Sequence, residues 1–135
     1  MDATVTWTSG MAFQADLEGH RVSMDVPGAD GSAAGARPKA LVLAGLGGCT
    51  GVDVVSILDK MRVPFEGLAV DVRAEESTSH PKVFTRIHVR YRFKGADLPL
   101  DKLERAVQLS QEKYCGVSAM LGKTAVITSE IVIEG

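Results

Sequence analysis

The first third of the chain alternates apolar and polar positions with a period of two. Val5 and Trp7 form one set, Met11, Phe13, Ala15 and Leu17 a second, and Val22, Met24 and Val26 a third, each interleaved with polar residues. Side chains on a strand point to opposite faces in turn, so the pattern predicts three short strands. Ser9-Gly10 and Glu18-Gly19 fall between them and supply the glycine that tight hairpin loops favour, which makes an antiparallel meander the economical arrangement. The Gly/Ala/Ser/Pro-rich stretch PGADGSAAGARP, residues 27–38, has little to bury and reads as a mobile loop. Pro38 suits the first turn of a helix, where its missing N–H has no partner to lose, and that helix is expected to run to about Arg62. Its first half, ALVLAGLGGC, is apolar all round and predicts burial on more than one side. Its second half is amphipathic, with Val52, Val55, Leu58 and Met61 apolar and Asp53, Asp59, Lys60 and Arg62 facing water. Gly45, Gly47, Gly48 and Gly51 each cost roughly 1 kcal/mol against alanine in a helix, which calls for close approach of another backbone or a ligand.

Beyond Pro64 the alternation returns. Leu68, Val70, Val72 and Ala74 alternate with Asp71, Arg73 and Glu75. Val83, Thr85, Ile87, Val89, Tyr91 and Phe93 then alternate with Arg86, His88, Arg90, Arg92 and Lys94. The second of these strands carries a cationic face, read as solvated and paired with acidic residues on its neighbour. From Pro99 a helix presents Leu100, Leu103, Val107, Ser110 and Tyr114 at spacings of three and four, with Asp101 four residues before Arg105 as a surface ion pair. Gly116 breaks that helix, a short helix starts near Cys115 and ends at Gly122, and TAVITSEIVI reads as a final strand. The predicted order βββαββααβ, with strands leaning antiparallel and helices segregated, is α+β.

Length and composition fit one domain spanning 1–135. The chain has 135 residues, 45% of them hydrophobic and 24% charged, with a formal charge of −2, so neither disorder nor a nucleic-acid partner gains support. MDATVTWTSG has neither a basic n-region nor an apolar h-region, and no apolar run is expected to reach the roughly 20 residues that span a bilayer, which points to a cytoplasmic protein with no membrane partner. Two distant cysteines, three histidines and no CxxC make neither a disulfide framework nor a metal site. A reactive thiol and plain packing both remain open. Cys49 lies in an apolar helix, where a free cysteine usually behaves as a small hydrophobe. Cys115 lies at an expected helix N-terminus, where the backbone dipole favours thiolate. Together they suggest a pair in which one thiol is oxidised to a sulfenic acid and the second condenses with it.

RPKALVLAGLGGCTGVDVVSILDKMRV resembles the first-cysteine helix of the OsmC/Ohr family, in its OsmC-like branch. HPKVFTRIHVRYRFKG is similar to that family's central hairpin and KYCGVSAML to its second-cysteine motif. The resemblance covers nearly the whole chain, in the right order. It implies an antiparallel sheet with a long central helix in an intertwined homodimer, and thiol-dependent reduction of hydroperoxides, organic ones especially. Carried over by motif, Cys49 is the peroxidatic thiol and Cys115 the resolving one. An external dithiol reductant restores both by exchange, with no metal, haem or flavin required. The sequence departs from the pattern at Gly116, where many relatives have proline, and in the first turn of the long helix. Lys39 and Ala40 follow Pro38 where the resemblance leads one to expect a glutamate, and Arg21 and Arg37 are the nearest candidates for its arginine partner. Lys39, ten residues before Cys49, stands about 15 Å away along a helix. The rival class is a non-catalytic, stress-associated dimer that binds an apolar small molecule at its interface. A cysteine hydrolase would need a base beside the nucleophile, and His20, His80 and His88 carry no local signature for one.

Overall fold

The computed structural model describes every residue, Met1–Gly135. The backbone forms two compact units, Met1–Val42 and Leu43–Gly135.

In the first unit, β1 (Ala3–Ser9), β2 (Ala12–Leu17) and β3 (His20–Met24) make the expected antiparallel meander. Glu18 and Gly19 both take positive φ, 49° and 86°, between the paired residues Leu17 and His20. That backbone matches the twist of a two-residue hairpin. Arg21 lies opposite Asp16 and forms a surface ion pair with it at 3.4 Å. The loop that follows is tied down, in contrast to the mobile segment its composition suggests. The Asp25 N–H donates to Ala36 O at 3.0 Å, Ala34 N–H donates to Asp25 Oδ2 at 2.8 Å, and Gly35 packs against the backbone of Ser23 so closely that a Cβ has no room. Ala15 is buried in this unit, whereas Val5, Trp7, Met11, Phe13 and Leu17 remain exposed.

Helix α1 runs from Pro38 to Lys60. It ends where Arg62 takes φ 59°, with Val63 N–H bonded to Leu58 O and Arg62 N–H to Asp59 O. These are the two hydrogen bonds of a Schellman cap, here closed by arginine rather than glycine. At 23 residues α1 is long and apolar enough to cross a bilayer by length and composition alone, where the sequence led us to expect no such run. Its Leu46, Thr50, Val54 and Leu58 instead enter the core of the second unit.

That unit holds β4 (Gly67–Glu76), β5 (Phe84–Lys94) and β6 (Val126–Glu134) in the order β4-β5-β6. β4 pairs antiparallel with β5, but β6 pairs parallel to it, so the sheets are not wholly antiparallel. A parallel return needs a crossover of a dozen or more residues. The segment containing α2 (Leu100–Leu109), a single π turn (Ser110–Tyr114) and α3 (Gly116–Leu121) supplies it. The inward residues of β5, Ile87, Val89, Tyr91 and Phe93, are fully or almost fully buried with Leu103, Ala106 and Val107 of α2. The outward cationic residues are paired as expected. Arg90 meets Glu130 at 2.6 Å, and Arg92 bridges Asp71 and Glu134 at 2.7 and 3.0 Å. Arg105, expected opposite Asp101, donates to Gln108 Oε1 at 3.3 Å. Two of the four α1 glycines have a packing reason. A Cβ on Gly47 would lie 3.2 Å from Val72 Cγ2, and one on Gly51 3.7 Å from Val70 Cγ2, whereas Gly45 and Gly48 face open space.

Candidate functional site

Residues Cys49, Thr50 and Asp53 sit on consecutive turns of α1, with Cys49 and Asp53 four apart and hence on one face. Cys115 arrives from the other end of the unit. The π turn closes with a 2.8 Å hydrogen bond from Cys115 N–H to Ser110 O, five residues back, and the chain then restarts as α3 with Cys115 as its N-cap. The Cys115 sulfur takes the place of the usual capping oxygen and accepts the Ser118 N–H at 3.3 Å. These two devices carry the second thiol to the first. Cys49 Sγ, Cys115 Sγ and a carboxylate oxygen of Asp53 all lie within 4.8 Å of one another.

Both cysteines are free, Cys49 half-buried and Cys115 buried. The expected depression of the Cys115 thiol by the helix N-terminus is not what the surroundings produce. Burial pushes that thiol above its ordinary value and the neighbouring Cys49 adds to the rise, against a smaller opposing pull from the Ser118 hydroxyl and N–H. A six-residue helix offers too little dipole to offset removal from water. Ser118 Oγ is buried without a hydrogen-bond partner of good geometry, next to this sulfur.

Behind the thiols runs a chain of buried hydroxyls. Gln111 Nε2 donates to Tyr91 Oη at 2.6 Å, Tyr91 Oη meets Thr50 Oγ1 at 2.6 Å, Thr50 Oγ1 meets Ser110 Oγ at 2.7 Å, and Ser110 Oγ donates to Asp53 Oδ2 at 2.9 Å. Burial raises the Tyr91 hydroxyl's pKa, with its hydrogen bonds to Thr50 and Gln111 opposing. On the Asp53 side a cavity of about 370 Å³ is bounded mainly by Ile57, Met61, Leu109 and Tyr114, with Lys60 at its wall. Cys49, Cys115 and Asp53 bring three possible donor atoms together, one fewer than closes a structural zinc site and the number that a catalytic one takes from the protein. Asp53 accepts from Ser110 through Oδ2, and the trio holds a thiol pair with a carboxylate beside it.

The profile of the OsmC-like protein family matches residues 29–130. The chain belongs to this family. Over 129 residues, 95% of this chain and 94% of the relative, it is 40% identical to Protein YhfA of Escherichia coli strain K12. The OsmC-like protein of Mycoplasma pneumoniae superposes with a TM-score of 0.86 over 99% of this chain and 96% of its own, at 14% identity. The organic hydroperoxide resistance protein OsmC of Legionella pneumophila superposes with a TM-score of 0.69 over 97% and 95%, at 15% identity. These likenesses at low identity establish the OsmC-like fold.

Of the residues singled out from sequence, Cys49 and Cys115 come together, and Arg21 is engaged with Asp16 on the meander surface. The sequence reading missed Asp53, Thr50, Tyr91, Ser110, Gln111 and Ser118. Asp53 looks like a solvent-facing helix residue and Tyr91 like one more apolar strand position. The available signals were the i,i+4 spacing of Asp53 from Cys49 and a serine in the apolar stripe of α2.

Proposed function

We propose that this OsmC-like protein reduces hydroperoxides with Cys49 as the attacking thiol and Cys115 as the resolving one. The observation that carries the reading is the approach of two free sulfurs to within 4.8 Å, the attacking one half-exposed and the resolving one buried. The Cys49 thiolate attacks the distal peroxide oxygen, so an S–O bond forms, the O–O bond breaks and the alcohol leaves. Cys115 then attacks the sulfenyl sulfur, an S–S bond forms and water leaves. The two thiols are oxidised by two electrons and the peroxide is reduced by two. An external dithiol returns the disulfide to thiols by exchange, in a cytoplasmic setting. The cavity beside Asp53, walled by Ile57, Met61 and Leu109, suits the alkyl part of an organic hydroperoxide.

The working form in this proposal is a homodimer. The support is apolar surface left exposed on each of the two units, taken separately. Val52 of α1 is 70% exposed and Trp7 62%, and Val52, Val55, Phe65, Leu68 and Val70 line an apolar groove of about 770 Å³. That groove also favours a second reading, a non-catalytic dimer that holds an apolar small molecule at the interface.

Intact mass after one equivalent of cumene hydroperoxide separates the two readings. The expected result is loss of two hydrogens in the reduced wild type, with a sulfenic acid or its over-oxidised products trapped in Cys115→Ser and absent from Cys49→Ser. An unchanged wild-type mass with slow thiol titration would transfer the function to the groove.

A further inference from the structure

Resting on the hydroperoxide-reductase reading, we propose that Asp53 is the proton acceptor of the site, taking the Cys49 proton before attack and giving it to the leaving alkoxide. Gln111 Nε2 carries only hydrogens, so Tyr91 Oη accepts there and turns its own proton to Thr50 Oγ1. Thr50 then has to donate to Ser110. Ser110 has one proton and two acceptors in range, Asp53 Oδ2 at 2.9 Å and Thr50 O at 3.5 Å, and the shorter is the better bond. Every hydroxyl therefore points its proton toward Asp53, and the chain ends on its carboxylate.

This arrangement holds the Asp53 side chain through Oδ2, in a group that stands within 4.8 Å of both sulfurs. Catalytic hydrogen bonds are often longer than ideal before substrate binds and tighten in the complex. The charged and titratable groups that face Asp53 are Cys49 on its own helix, Cys115, Tyr91 through Thr50 and Ser110, and Lys60 and Tyr114 across the cavity. The Asp53 carboxylate is the group that the fold brings within 4.8 Å of both sulfurs.

The cycle balances with Asp53 in this role. Cys49 S–H passes its proton to Asp53, the thiolate takes the distal oxygen, and the alkoxide leaves with the Asp53 proton as alcohol. In the second half Cys115 S–H passes its proton to Asp53, its sulfur displaces hydroxide from the Cys49 sulfenic acid, and the hydroxide leaves with that proton as water. One carboxylate in reach of both sulfurs serves both halves.

Asp53→Asn in the full-length protein decides the matter, because the two possible effects of the carboxylate have opposite signs. As a bare negative charge it disfavours a thiolate beside it, and its removal speeds the thiols at neutral pH. As a proton acceptor it is required, and its removal slows them by about 100-fold or more, with the rate recovering as pH rises through the thiol's own ionisation. Rates of Cys49 oxidation by cumene hydroperoxide and of its alkylation by iodoacetamide are measured from pH 5 to pH 10, with Asp53→Glu alongside and thermal melts to show that each variant is folded. Slow Asp53→Asn at neutral pH, recovery at alkaline pH and partial rescue by Asp53→Glu support the proposal. Equal or faster reaction of Asp53→Asn at neutral pH overturns it. A wild type inert to peroxide, with alkylation still dependent on Asp53, overturns the reductase reading while leaving the acceptor role supported.

Discussion

Thr50→Val tests the idea that the hydroxyl chain is a unit rather than a set of chance contacts. Thr50 is fully buried and its Oγ1 bonds Tyr91 Oη at 2.6 Å and Ser110 Oγ at 2.7 Å. Valine has almost the same shape, so the change removes both bonds with little cavity. Each neutral bond contributes about 1 kcal/mol net, and the orphaned Tyr91 O–H, now a buried donor without an acceptor, adds about 1–3 kcal/mol. The extra methyl offsets about 0.8 kcal/mol of that. The net loss is about 2–4 kcal/mol, read by urea denaturation at fixed protomer concentration as a lower midpoint at unchanged m. Tyr91→Phe removes the donor that Thr50→Val orphans, so the double variant should cost less than the sum of the singles by about 1–2 kcal/mol. A Thr50→Val loss below about 0.5 kcal/mol, or additivity of the pair, refutes the reasoning.

Gly51→Ala should stabilise by up to about 1 kcal/mol through helix propensity, since its Cβ meets Val70 Cγ2 at an ordinary 3.7 Å. Gly47→Ala should gain less, because its Cβ lies 3.2 Å from Val72 Cγ2 and the valine must give; thermal melts of the two variants rank them. Alkaline stability should fall. The Cys115 thiol is raised in the folded state, so its contribution is intact below the ordinary thiol value of 9.0 and is lost as pH rises through the folded value; Cys115→Ala in reducing buffer should flatten the alkaline limb of a melting-temperature profile. Trp7 is the single tryptophan, and if a second copy covers the apolar surface its emission should shift to the red on dilution; emission independent of concentration, together with a monomeric mass by light scattering, would sink the dimer.

Local rules sufficed where one segment carries its own instructions. The meander follows from period-two alternation and from Glu18-Gly19, whose two positive φ values a hairpin turn requires. Helix α1 follows from Pro38 and a long apolar stripe, and the cationic outer face of β5 finds the acidic partners its alternation with buried residues implies. Strand direction was out of reach, because alternation has no polarity: Val126–Glu134 reads the same whether it pairs parallel or antiparallel, and a crossover long enough to permit the parallel pairing does not require it. Asp53 was misread for a related reason. An acidic residue on an amphipathic helix belongs in water unless a remote segment meets it, and Ser110 is 57 residues away.

The π turn explains why the thiols were individually visible but their meeting was not. Continued α-helical geometry past Leu109 would keep Leu100, Leu103, Val107, Ser110 and Tyr114 on one stripe, as their spacing suggests. Instead one additional residue is accommodated between Ser110 and Cys115; Tyr114 is turned out to 54% exposure while Cys115 falls to 3%. The same turn holds Ser110 against Thr50 and Asp53, and Gln111 against Tyr91. A wider i to i+5 closure has poorer intrinsic geometry than an α-turn and appears mostly as single turns at functional sites. What compensates it here is tertiary: the buried hydroxyl chain contributes stability only when Ser110 and Gln111 occupy those places. Nothing in SQEKYC announces that closure, since its partners lie on α1 and β5. The meeting of Ser110, Gln111 and Cys115 with the polar groups of α1 and β5 thus depends on one local irregularity, and it is the irregularity that propensity and periodicity have no means to read.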